Sequence, residues 1–219
     1  MTIEENMTPE EFLKQNEKLY RSALADVEHL LRKLFDIEQF GISEIKTRLK
    51  EPESLREKCE RKEVFSAQEI PERIRDISGA RIVCLYLDKV SLIVAKIRQM
   101  NGISVALVKD YNEKPKENGY RGYHLECKIS TQFYDPETTE TISDIVPVEI
   151  QVRTQHQHDW AELEHKLRYK PSLSNANEAE DLDDTVKNEK LKAYAETMHE
   201  ADLKRIELRD TCAFTKRAN

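Results

Sequence analysis

The sequence predicts an α+β fold, a single domain with helical flanks. Apolar residues repeat at every second position in segments gathered in the middle of the chain, between Ile45 and Arg153. Apolar repeats of three and four residues dominate both ends. A chain of 219 residues with 38% hydrophobic content encloses one sizeable core but hardly two.

Thr8-Pro9-Glu10-Glu11 supplies an N-cap, a proline at the first helical position and an acid at the third. Phe12, Leu19, Ala23, Leu24, Val27, Leu30, Leu31 and Leu34 then mark a long amphipathic helix that should end near Phe40-Gly41. Residues 1–41 are therefore read as a helical segment that packs and carries no chemistry. From Ile45 the period changes to two. Ile45, Thr47 and Leu49 alternate with Lys46, Arg48 and Lys50, a half-buried strand with one cationic face. Pro52 breaks it, and 53–62 reads as a helix with Ser54 and Lys58 on one face near its N-terminus. Free amides there favour anions, so Arg48, Lys50, Ser54 and Lys58 form a set that suits a triphosphate. Taken alone, the same residues are an ordinary strand and helix with charged outer faces.

The run 76–87 reads as a buried strand with Asp76 before it and Arg81 near its start. It is followed by an amphipathic helix over 88–100 and a short strand over 103–108. The next strand alternates Tyr123, Leu125, Cys127 and Ile129 with His124, Glu126 and Lys128. After a polar insertion at 131–144, Val148, Ile150 and Val152 turn to the core while Glu149, Gln151 and Arg153 share the other face. Two acids from distant strands, Asp76 and Glu149, form a pattern that suits one Mg²⁺ held together with substrate phosphates. A cross-strand salt bridge at Glu149 fits the local sequence equally well. The segment 155–170 reads as a helix with Trp160, Leu163 and Leu167 at packing spacing. His156, His158 and His165 fall in it and carry only a weak metal signal. An acidic linker should span 172–184. Leu191, Tyr194, Ala195, Met198, Ala201, Leu203, Ile206 and Leu208 then predict a final amphipathic helix that covers the domain or meets another subunit.

Net charge is −7, but its sign changes along the chain. The first 43 residues carry 5 basic and 9 acidic side chains, whereas 44–62 carry 7 and 5. A basic middle in an acidic chain suits a local pocket for polyphosphates better than a broad nucleic-acid surface. The four cysteines have neither disulfide-framework nor zinc spacing. The longest apolar run is far below a membrane span and the N-terminus is acidic, so a cytoplasmic protein is expected.

The stretch 109–124 organises the rest. Lys109, Lys114, Lys116 and Arg121 are mixed with Tyr111, Tyr120 and Tyr123 around Pro115 and Asn118-Gly119, so a turn presents cations and stacking rings together. That combination suits a base and its phosphates, although by itself the stretch reads as readily as a solvated hairpin.

These blocks, in this order, resemble the synthetase domain of the RelA/SpoT alarmone enzymes, most closely the small alarmone synthetases, over about 42–170. The carriers are Arg48-Leu49-Lys50 with Ser54 and Lys58, Asp76-Ile77-Ser78-Gly79-Ala80-Arg81, Lys109-Asp110-Tyr111, Pro115-Lys116-Glu117-Asn118-Gly119-Tyr120-Arg121, His124, Glu149-Ile150-Gln151-Val152-Arg153-Thr154, and 160–170. The resemblance implies a nucleotidyltransferase-like mixed sheet flanked by helices, with residues 171–219 as linker and C-terminal helix. It implies pyrophosphate transfer from ATP to the 3′-hydroxyl of GDP or GTP, releasing AMP.

By the same resemblance Arg48, Lys50, Ser54, Lys58 and Arg81 bind ATP. Asp76 and Glu149 hold Mg²⁺, with Glu149 also the base for the 3′-hydroxyl. Tyr120 stacks on the acceptor base, and Lys109, Lys116, Asn118 and His124 contact the acceptor nucleotide. Gln151 and Arg153 support the site. A homo-oligomer, a tetramer by resemblance, is expected, as is synthesis without hydrolysis. Asn112 and Gly122-Tyr123 depart from the family pattern near the acceptor. Two other readings follow: a toxic relative that modifies tRNA 3′ ends or adenosine nucleotides and has an antitoxin partner, and a catalytically silent nucleotide- or RNA-binding module. The presence of both Asp76 and Glu149 argues against the silent module.

Overall fold

The computed structural model describes residues 7–35, 37–169 and 184–217. Its frame is a five-stranded mixed sheet of β1 (Ile42–Leu49), β2 (Ser78–Cys84), β3 (Ile103–Asp110), β4 (Tyr123–Asp135) and β5 (Glu140–Thr154). The spatial order is β1-β2-β5-β4-β3. Only β2 and β5 run parallel; the other neighbours are antiparallel. β5 is the central strand, and Val148, Ile150 and Val152 are fully buried on one of its faces, as their alternation predicts.

That face is covered by α1 (Pro9–Leu34) and α5 (Leu87–Arg98). The Thr8 hydroxyl accepts from the Glu11 amide, and the Glu11 carboxylate accepts from the Thr8 amide, so the expected cap forms in both directions. Phe12, Ala23, Val27 and Leu31 of α1 and Ile93 and Ile97 of α5 join the strand residues in one core. The helix does not run to Gly41: it ends at Leu34, and a separate turn, α2 (Ile37–Phe40), precedes β1. The short helices α3 (Pro52–Arg61) and α4 (Ile70–Arg73) lead into β2.

The polar insertion expected at 131–144 is instead a long hairpin. β4 and β5 stay paired from Thr131↔Asp144 out to Asp135↔Glu140. Thr131 is buried, its hydroxyl donating to Asp26 of α1 at 2.5 Å, while Lys18 of α1 pairs with Asp135 at 3.0 Å. The hairpin survives because α1 supplies polar partners for its inner face.

On the other side, α6 (Gln155–Tyr169) and α7 (Asp184–Arg217) pack together at the end of β5. Trp160 is buried there with Tyr120, Leu191 and Ala195. Leu163 and Leu167 are exposed, so packing in α6 rests on Trp160 and not on the expected triplet. The α7 stripe splits likewise: Leu191 and Ala195 are buried, Tyr194, Leu203 and Leu208 exposed. The linker expected at 172–184 lies outside the described residues except for Asp184, which opens α7. No helix among the described residues is long and apolar enough to cross a membrane.

Two isoleucines of β5 provide a test of where stability resides. Ile150→Ala, at a fully buried site, should cost roughly 2–5 kcal/mol. Ile145→Ala, at a position 62% exposed, should change stability by about 0.5 kcal/mol or less. Urea unfolding of both variants checks the contrast.

Candidate active site

The sheet register sets the floor of a cleft on the face that α1 and α5 leave free. One row across the sheet reads Arg48, Gly79, Glu149 and Glu126; the next reads Lys46, Arg81, Gln151, His124 and Lys109. Arg153 follows on β5 beside Val83. Asp76 stands just before β2, where the Lys50 amide bonds to the Ile77 carbonyl at 2.8 Å. Ala161, Glu162, Glu164 and His165 of α6 form one wall, and Lys116, Asn118 and Tyr120 of the loop between β3 and β4 form another. The enclosed volume is about 470 Å³.

The two carboxylates are held in different ways. Asp76 Oδ2 receives Lys50 Nζ at 3.0 Å and Lys58 Nζ at 2.5 Å, while its Oδ1 is buried without a hydrogen-bond partner. Burial pushes this carboxyl up, but the two lysines outweigh it and hold the pKa at about 2. Glu149 Oε1 pairs with His124 Nδ1 at 3.0 Å, and its Oε2 accepts from Gln151 Nε2 at 2.5 Å. Burial again acts upward; His124 and Gln151 prevail and bring Glu149 to about 2. Both acids are ionised at neutral pH.

An ionised Glu149 only accepts, so His124 Nδ1 is the donor in this pair. Burial pushes Tyr120 up to about 12, so the phenol keeps its proton, and its hydroxyl is hydrogen-bonded to His124 Nε2 at 2.5 Å. On the far side of Glu149, Gln151 Oε1 accepts from Arg153 at 2.5 Å. The Arg153 guanidinium lies 5.1 Å from the centroid of the Tyr120 ring, which closes the circuit.

Ten residues singled out by sequence line this cleft: Arg48, Asp76, Arg81, Lys116, Asn118, Tyr120, His124, Glu149, Gln151 and Arg153. Lys50 and Lys58 reach it through Asp76. Ser54 is exposed in the first turn of α3 and does not line it, and Lys109 is drawn aside to Glu126 at 2.5 Å. Glu162 and Glu164 were not anticipated. Glu162 pairs with Arg81 at 3.2 Å, and Glu164 accepts from Asn118 Nδ2 at 3.3 Å. The signal for them was the three- and four-residue spacing from Ala161 to His165, which places these residues on one side of α6.

Tyr120 is not an open platform. Its ring is 7% exposed, with Lys116 Nζ 4.7 Å from its centroid and Tyr111, His124 and Trp160 around it. Of the two departures near the acceptor, Asn112 turns to α6, where its Oδ1 accepts from Gln157 at 2.7 Å. Gly122 matters more. Its φ is +141°, and a Cβ there would stand 3.1 Å from Arg153 Cγ, so glycine makes room for Arg153 against Tyr120.

Because Asp76 and Glu149 titrate near 2 in the fold against ordinary values of 3.8 and 4.5, each contributes stability that is complete above about pH 5. That contribution disappears as pH falls towards 2. Urea midpoints measured from pH 6 to pH 2.5 should therefore fall, and fall less for Glu149→Gln than for the wild type.

Residues 47–174 match the family described as a region found in RelA and SpoT proteins. GTP pyrophosphokinase YwaC of Bacillus subtilis is 35% identical over 166 residues, 75% of this chain and 72% of that protein. GTP pyrophosphokinase YjbM of the same organism is 34% identical over 158 residues, 70% of this chain and 71% of that one. Among solved structures, small alarmone synthetase 1 from Bacillus subtilis bound to its product pppGpp is similar with a TM-score of 0.74 at 27% identity, covering 91% of this chain and 99% of that chain. The mixed five-stranded sheet is the fold of those synthetases. The chain belongs to the RelA/SpoT family, and within it to the diphosphokinase enzymes of the small alarmone synthetase type.

Proposed function

We propose that this protein transfers the pyrophosphate of ATP to the ribose 3′-hydroxyl of GDP or GTP, producing ppGpp or pppGpp and AMP. The observation that carries the proposal is a pair of ionised carboxylates, Asp76 and Glu149, in a cation-lined cleft with a tyrosine and histidine at one side. The names of the relatives and the product held by the similar synthetase support the same reaction.

The donor's phosphates belong at the β1–β2 side, where Arg48 and Arg81 face the cleft and Lys50 and Lys58 gather at Asp76. Ser54, in the first turn of α3, lies near enough in sequence to join them when the donor binds. The acceptor belongs at the loop. Lys116 is exposed while Arg153 is buried and tied to Gln151, so a stacking base displaces Lys116 at the lower cost. The displaced ammonium then faces the acceptor's phosphates, with Asn118, His124 and, at the strand end, Lys109 nearby.

Phosphoryl transfer asks for positioning and charge neutralisation more than for covalent help. Glu149 accepts the hydrogen bond of the 3′-hydroxyl. So acidic a carboxylate takes the proton only as the new O–P bond forms and the hydroxyl becomes acidic. His124 and Gln151 fix the carboxylate's orientation throughout.

Asp76 and Glu149 fit Mg²⁺. Asp76 Oδ1 is a buried oxygen without a partner, and an ion that takes one or two protein carboxylates and completes its shell with phosphates and water needs no larger cluster. No group of three or more acidic, histidine or cysteine side chains is arranged for a metal among the described residues. Bound there, Mg²⁺ supplies neutralisation of the charge that develops on the transferred oxygens.

Labelled ATP and Mg²⁺ offered in parallel with GDP, GTP, AMP, ADP, ATP and deacylated tRNA test the acceptor. Label should appear on GDP and GTP. Preference for tRNA or an adenosine nucleotide would replace the acceptor but keep the chemistry, and binding without transfer would favour the silent module. Glu149→Gln should lower kcat by about 100-fold or more in a protein that is still folded at the assay temperature, its thermal midpoint lowered only by the lost ionic contribution. Arg48→Ala should raise KM for ATP, whereas Tyr120→Ala should raise KM for the acceptor by roughly tenfold. Steady-state titration of each substrate separates the two.

A further inference from the structure

α7 lies beyond the segment that matches the family, yet it is packed against the loop that carries Tyr120. At Gly119, φ +90°, loop and helix come so close that a Cβ would stand 2.7 Å from Ala195 Cβ and 2.9 Å from Lys192 Cα. The Trp160 indole donates to the Leu191 carbonyl at 2.9 Å. The Arg121 guanidinium bonds both oxygens of Glu196, at 3.1 and 3.3 Å, and donates to the Asn112 carbonyl at the other end of the loop, at 3.1 Å.

Further along the helix stands Asp202, a carboxylate with no exposure. It accepts from Thr154 Oγ1 at 2.6 Å and from His156 Nδ1 at 2.9 Å. Arg205 donates to His156 Nε2 at 3.1 Å. Thr154 is the last residue of β5, adjacent to Arg153 and five beyond Glu149. The helix therefore bridges the acceptor loop and the end of the strand that carries Glu149.

A buried carboxylate is costly unless its hydrogen bonds are specific, and a helix that only covered a core would bury an apolar side chain here. We propose that Asp202 is a positioning residue for the acceptor pocket, fastening α7 to the end of β5 so that Tyr120 stays at the spacing the acceptor requires. The proposal rests on the acceptor assignment above.

Trp160 is the single tryptophan and sits beside Tyr120, so its fluorescence reports acceptor binding without turnover. In Asp202→Asn the GDP affinity read from Trp160 and the acceptor KM should each weaken roughly tenfold, with KM for ATP unchanged. Glu196→Lys, at a half-exposed carboxylate that ties α7 to Arg121 of the same loop, should weaken acceptor binding several-fold and tests the α7 anchoring if Asp202→Asn does not fold. Unchanged acceptor affinity in the folded variants, or equal losses for both substrates, would overturn the proposal. If wild-type Trp160 does not respond to guanosine nucleotides, the acceptor assignment fails instead, and the same comparison with the acceptor that wild type does use decides the role of Asp202.

Discussion

The parallel pairing of β2 with β5 determines where the charged side chains on the floor of the cleft stand. Its register sets Gly79 beside Glu149 and Arg81 beside Gln151, and β1 and β4 extend those rows to Arg48 and His124. Side chains alternate across a strand, so a slip of one residue would turn Glu149 and Gln151 into the core and Ile150 towards water. The burial of Val148, Ile150 and Val152 against α1 and α5 therefore fixes the chemistry of the opposite face. Packing and function are two sides of one strand.

Within that frame the site is balanced by charge. Partly buried carboxylates are costly unless matched, and here the matching is asymmetric: lysines at Asp76, a histidine and an amide at Glu149. The lysines make Asp76 part of a cationic corner. The histidine and amide keep Glu149 ionised without adding a lysine or arginine directly against it, which leaves its oxygens available to a hydroxyl. Arg153 connects this pair to Tyr120, so the tyrosine ring and the acid belong to one network.

Much of this was legible in sequence, for identifiable reasons. The face shared by Glu149, Gln151 and Arg153 showed as a clean two-residue period, and Asp76 was marked by the apolar run it precedes. The hairpin at 131–144 was not legible because its strand residues are largely threonines, acids and aromatics, and the partners that satisfy them belong to α1, more than a hundred residues away. Glu164 reads as a solvated helix charge until Asn118 is seen to donate to it. Asp202 was hidden for the same reason: in a charged helix one acid looks like any other, and only the tertiary contact with Thr154 and His156 sets it apart. Tyr120 lines the cleft, but the side chains that cover its ring lie outside any local pattern.

The proposed reaction assigns this charged pair to transfer of a pyrophosphate and not of a single phosphate. The coproduct of ATP decides it most directly. With GDP and ATP present in equal amounts, chromatographic separation of the nucleotides should show one AMP formed for each GDP consumed, and no ADP. Accumulation of ADP in step with loss of GDP would mean that a single phosphoryl group is transferred and that the pair does not serve pyrophosphate transfer.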